Sequence, residues 1–180
     1  IPSREREGER VLDWNTASGI PWHVVLLFGG GFALATAFNG SGLSAFVGGS
    51  LSGLSTVPPV VLVLCICLLV TFLTELTSNT ATTEMLLPVL AGLAVALDAD
   101  PLLLMVPATL SASCAFMLPV ATPPNAIIFG TGRLSIRDMA RVGLLLNLVG
   151  ALLVTLAVFT LGRLVLGIGL DGPPSWATLP

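Results

Sequence analysis

Thr74-Glu75-Leu76-Thr77-Ser78-Asn79-Thr80-Ala81-Thr82-Thr83 is a run of hydroxyls, one amide and one carboxylate set between two apolar stretches. Val57 to Leu73 precedes it and Met85 to Leu97 follows it, neither carrying a charged residue. Polar groups are costly at membrane depth unless they face a cavity, a ligand or one another, so the run reads as a binding site at a polar tip. The plainer alternative is a hydroxyl-rich loop in water.

Composition decides between those two settings. The 180 residues are 54% hydrophobic and 9% charged, with a mean hydropathy of +0.98, which a soluble domain could not present to water. The apolar runs are rich in Leu, Val, Ala and Gly and do not alternate with polar residues, so the spans are predicted to be helices and not barrel strands. The fold class is therefore an all-α, multi-pass membrane protein. Its basic residues are all arginines, grouped as Arg4, Arg6 and Arg10, then Arg133, Arg137 and Arg141, with Arg163 apart. Such clusters beside apolar runs mark the cytoplasmic side. Nothing in the pattern suggests a nucleic-acid partner. Cys65, Cys67 and Cys114 lie within apolar runs without metal-ligand spacing and read as small core residues. No cleavable signal peptide is evident, and a start at Ile1 in a charged arm suggests a fragment.

Along the chain, 1–20 reads as a cytoplasmic connecting arm that meets the bilayer at Trp14 and Trp22. His23 beside Trp22 reads as an interface residue. The 21–55 segment combines a transmembrane helix, whose Gly29-Gly30-Gly31 allows close approach of a neighbouring helix, with a surface-lying helix over Asn39 to Ser55. Next, 56–98 reads as a re-entrant hairpin with its tip at Thr74 to Thr83. Its second arm, Met85 to Leu97, has thirteen residues, roughly 20 Å at helical rise, and is predicted to be too short to cross. In 99–132 a helix from Leu102 to Leu118 should break at Pro119-Val120-Ala121-Thr122-Pro123-Pro124-Asn125 and resume over Ala126 to Phe129. A final span from Val142 to Leu166 and a short tail complete 133–180.

A polar tip and a broken helix share one logic. Helix N-termini favour anions and unwound carbonyls favour cations. Ser78, Asn79 and Thr80 can donate to a carboxylate or sulfate. Carbonyls near Thr77 and Ala121 can hold a cation with the side chains of Thr74 and Asn79. Glu75 is expected to satisfy backbone amides of the hairpin, and Glu84 to cap or pair at the start of the second arm. An enzyme using Glu75 or Glu84 as acid or base is the alternative from another class, but no His partner or metal pair supports it. An uncoupled channel filtered by the polar tip is a third reading.

Thr74 to Ala81, together with Cys114-Ala115-Phe116-Met117-Leu118-Pro119-Val120-Ala121-Thr122-Pro123-Pro124-Asn125-Ala126-Ile127, resembles the two signature stretches in the C-terminal half of the divalent anion/sodium symporter family. Ile20-Pro21-Trp22 with Gly29-Gly30-Gly31 is similar to the segment which that family places before its outer hairpin. The resemblance runs from about Val11 to Leu166. It implies Na+-coupled uptake of a dicarboxylate, a tricarboxylate such as citrate, or sulfate, by a homodimer of elevator-type carriers in a cell membrane, here a bacterial inner membrane. It places the substrate anion on Ser78, Asn79 and Thr80, with Thr122 and Pro123 beside it. A sodium ion falls on Thr74, Thr77, Asn79 and Ala121. The family has two inverted repeats, each with a Ser-Asn-Thr hairpin, and this chain has one. The resemblance thus implies a missing N-terminal repeat as partner, or else an inactive half-transporter.

Overall fold

The structure, a computed structural model, describes residues 14–20, 56–169 and 172–177, with scattered positions between 22 and 46. The arginine arm at 4–10, His23 and all but a few positions of the 39–55 stretch lie outside the described residues. A short helix α1 (Trp14–Ser18) leads to Trp22, whose indole Nε1 donates to the Ala17 carbonyl at 2.8 Å. A Cβ placed on Gly29 or Gly30 would meet nothing within 4 Å, so no described residue makes the close approach expected there.

Helix α2 (Pro59–Thr74) begins with Pro59 in its first turn, where a missing amide costs nothing. Val63, Cys67, Val70 and Thr74 recur at helical spacing and are buried, whereas Val60, Val61, Leu69 and Phe72 face outward. An apolar outward face is what a bilayer would cover.

Helix α3 (Asn79–Ala96) corrects the expected short second arm. It has 18 residues, long and apolar enough to cross a membrane, because the threonines read as loop belong to its first turns. Ser78 caps it, its Oγ accepting the Ala81 amide at 3.5 Å, and Thr83 Oγ1 donates back to the Asn79 carbonyl at 2.8 Å. The helix stops in a Schellman turn: the Asp98 amide reaches the Val95 carbonyl, and the Ala99 amide that of Ala94. Asp98 takes the left-handed position of that motif at φ 55°, a conformation Asp tolerates better than most residues.

Helix α4 (Pro101–Ser111) starts on Asp100, whose Oδ1 accepts the Leu102 amide at 2.9 Å. It ends seven residues before the predicted Leu118, and helix α5 (Pro123–Gly130) begins three residues before the predicted Ala126. The non-helical stretch is thus longer than the sequence implies. Pro123 and Pro124 do not interrupt a helix; they open one. Helix α6 (Ile136–Ala157), capped by Ser135, begins earlier than the predicted Val142 and continues through a π-helical turn (Val158–Gly162) to Arg163–Leu166. Gly143, Asn147, Ala151, Thr155 and Val158 form its inward stripe. Leu145, Leu152, Leu153 and Leu156 cover the opposite side.

The core lies where α2, α4 and α6 meet, with Val63, Cys67, Val70, Leu104, Ala108, Ala151 and Val158 buried together. Helix α3 joins it from the far side of α4 through Leu90, Leu93 and Ala94, so α2 and α3 touch each other little. Of the cysteines read as core residues, Cys67 is buried and Cys114 half-buried, but Cys65 is exposed on the outward side.

Contacts along α6 give the heights of the other parts. Asn147 meets Glu75, just past the end of α2. Thr155 Oγ1 approaches Cys67 Sγ at 3.7 Å, and the Gly169 amide donates to Asp100 Oδ2 at 3.1 Å. Helix α2 therefore runs antiparallel to α6. Its end lies about 16 Å beyond the start of α6, and the α3–α4 turn lies roughly 25 Å further on, close to the length of α3.

Candidate functional site

The hinge of the site is Glu75, only 3% exposed. Its Oε1 accepts the Met117 amide at 2.8 Å and the Asn147 side-chain amide at 2.8 Å, while Oε2 accepts the Leu118 amide at 2.9 Å. The expected target was the hairpin's own backbone, but the carboxylate instead satisfies the non-helical stretch opposite it. Three further polar groups complete that task. Asn147 Oδ1 accepts the Phe116 amide at 3.3 Å, and Asn125 Nδ2 donates to the carbonyls of Ala115 and Leu118 at 2.9 and 3.0 Å. Thr71 Oγ1 donates to the Ser111 carbonyl at 3.3 Å. Broken backbone at membrane depth persists only where its groups are paired in this way. Close contact with α6 depends on Gly143, where an added Cβ would lie 2.4 Å from the Phe116 carbonyl oxygen.

Residues 75–80 on one wall and 120–123 on the other enclose a cleft of about 510 Å³. It brings together Thr77, Ser78, Asn79, Thr80, Ala121, Thr122 and Pro123, seven of the eight predicted site residues. Thr74, fully buried, lies behind Asn79, with its Oγ1 2.5 Å from Asn79 Oδ1 and 3.0 Å from the Ala112 carbonyl. One hydroxyl proton cannot serve both acceptors, so this corner is rich in oxygen and short of donors, as a hard cation prefers. Thr77 Oγ1 donates to the Leu73 carbonyl at 2.9 Å and meets Thr82 Oγ1 at 2.5 Å, tying the tip to the first turn of α3.

The two walls differ in what they can offer. Asn79 and Thr80 begin α3, so their amides have no intrahelical acceptor and, with the Ser78 and Thr80 hydroxyls, form a donor wall at a positive dipole end. Helix α5 also points its start at the cleft, but Pro123 and Pro124 have no amide hydrogen and Thr122 Oγ1 already accepts the Asn125 amide at 3.4 Å. That wall supplies shape, dipole and carbonyls. Glu84, expected to cap or pair, does neither: both its carboxylate oxygens are buried and unpartnered among the described residues.

Residues 8–168 match the model of the sodium:sulfate symporter transmembrane region. The chain belongs to the sodium:sulfate symporter family. This is a family of membrane transporters and not of enzymes, which removes the acid–base reading of Glu75 and Glu84. The chain is 51% identical over 174 residues to the sodium-dependent dicarboxylate transporter SdcS of Staphylococcus saprophyticus, a match covering 96% of this chain and 34% of that protein. It is 50% identical, with the same coverage, to SdcS of Staphylococcus aureus strain MRSA252. The chain thus spans about a third of the length of the curated relatives it matches.

Thr71, Asn125 and Asn147 are the members of this constellation that the sequence reading passed over. Asn147 did leave a signal, as a solitary amide inside an otherwise apolar span, which must find a partner or a cavity.

Proposed function

We propose that this chain supplies one wall pair of the substrate site in a sodium-coupled dicarboxylate carrier of a bacterial inner membrane. The observation that carries this reading is the cleft in which the start of α3 faces Val120 to Pro123. A carboxylate of the substrate accepts from Ser78, Asn79 and Thr80, beside Thr122 and Pro123. A sodium ion takes oxygens from Thr74, Thr77, Asn79 and Ala121. Asn79 belongs to both sets, so each ligand favours the other through one side chain. Dicarboxylate is preferred to sulfate or citrate because the SdcS relatives are named for it.

Helices α2 and α3 act as a re-entrant hairpin in this reading. Their junction reaches the height of Asn147, about 8 Å inside the apolar run that starts at Val142, and the outer ends of both lie toward Gly169. Its support is the set of heights along α6, not the arm length, which α3 exceeds. The rest of the anion and sodium site comes from an N-terminal repeat, and the working carrier is a homodimer.

Uptake of labelled succinate, citrate and sulfate into proteoliposomes bearing a protein of the relatives' full length is the test. Sodium-dependent succinate uptake with counterflow is the expected result. Uptake without sodium or counterflow would mean a channel, and no uptake of any of the three anions would mean an inactive assembly; either result overturns the proposal.

A further inference from the structure

Glu84 has a part that the cleft does not explain. It lies in α3 five residues after Asn79, roughly 8 Å along the helix from the anion wall. Both carboxylate oxygens are buried without a partner among the described residues. Four residues on, Pro88 lacks the amide that would bond the Glu84 carbonyl in a regular helix.

Among the described residues, no compensating cation comes from the elements packed against α3. Helix α4 carries no ionisable side chain between Pro101 and Ser111, and α2 carries only the thiols of Cys65 and Cys67. At the ends of α3 are Glu75, committed to Met117, Leu118 and Asn147, and the acidic pair Asp98 and Asp100. An isolated carboxylate in such a setting is strongly unfavourable unless a cation joins it.

We propose that Glu84 binds a monovalent cation, H+ or Na+, one helical turn behind the anion wall of α3. The bound cation cancels a negative charge that would otherwise repel a dianion in the cleft, so cation and anion reinforce each other. This last step rests on the transport reading; the cation site itself does not.

Infrared difference spectra of the full-length protein in detergent test the site directly. A carboxyl band lost in both Glu84→Gln and Glu84→Met identifies the residue, the Met variant serving if Gln fails to fold. A protonated C=O stretch that gives way to carboxylate as pH rises identifies H+. A carboxylate stretch that shifts on adding NaCl but not choline chloride identifies Na+. A carboxylate band indifferent to both overturns the proposal. In the same preparations labelled succinate should bind more tightly as that cation is raised, and log Kd against log cation should lose one unit of slope in Glu84→Gln. An unchanged slope overturns the coupling. Absence of any succinate binding would overturn the transport reading and, with it, the coupling, leaving the infrared result to decide the site.

Discussion

Glu75 does with one side chain what a helix normally does with its own carbonyls. Two adjacent amides and one side-chain amide converge on it, and each would be orphaned in a buried place if it were removed. Glu75→Gln can keep Oε1 and its two donors, but it turns an NH2 toward the Leu118 amide. Losing that bond and creating a donor–donor contact is expected to cost about 2 kcal/mol, measured as unfolding stability in detergent. Unaltered stability would show that the Leu118 amide finds another acceptor. Asn79 carries a different kind of prediction, because it faces the cleft. Asn79→Ala in the full-length protein should weaken both succinate and sodium binding, each by roughly tenfold to a hundredfold, since one hydrogen bond to a charged group is worth about 1.5–3 kcal/mol. Isothermal titration with each ligand checks this, and a loss confined to one of them would confine Asn79 to that site.

At the scale of elements, the stretch between α4 and α5 is held open by side chains, not by proline. Pro123 and Pro124 occupy the first turn of α5, where they are compatible with the helix. Pro123→Ala with Pro124→Ala should therefore leave the stretch non-helical and the sodium dependence of uptake near that of wild type. Asn125→Ala, which frees the Ala115 and Leu118 carbonyls, should raise the sodium concentration needed for half-maximal uptake. The reverse order of effects would restore the prolines as the cause of the break. The sequence made the break itself legible, because three prolines in six residues cannot lie within one regular helix. Its extent was hidden, since α4 ends at Ser111 in a run as apolar as any helix. The cause is tertiary: Gly143 admits the Phe116–Met117 backbone, and Glu75 and Asn147 bind it. The length of α3 was hidden for the opposite reason. Thr80, Thr82 and Thr83 read as loop residues, yet back-bonding and the Ser78 cap make them helical. The residues lining the cleft were legible because hydroxyls and an amide in an apolar context have few other uses.

For the whole molecule, the heights measured along α6 put the two outer ends of the α2–α3 unit near each other and away from the second arginine cluster. In a background with Cys65, Cys67 and Cys114 replaced, Thr56→Cys and Ala96→Cys should react with an impermeant maleimide from one face of the membrane, and Arg137→Cys from the other. Reaction of Thr56→Cys and Ala96→Cys from opposite faces would mean that this unit crosses the bilayer.

The ties at Asn147, Thr155 and Gly169 also bear on mechanics. A strut fastened at three separate heights resists sliding, because a slip of one helical turn, about 5.4 Å, would break every fastening at once. If the cleft changes sides during transport, α6 must then be freight and not rail, and the shear plane must run outside this block, along the leucine-covered back of α6. Welding the block internally should consequently be harmless. Thr155→Cys opposite the native Cys67, oxidised to a disulfide, is expected to leave succinate uptake at the level of the reduced protein. Transport that stops on oxidation and returns with reductant would place the moving boundary between α2 and α6.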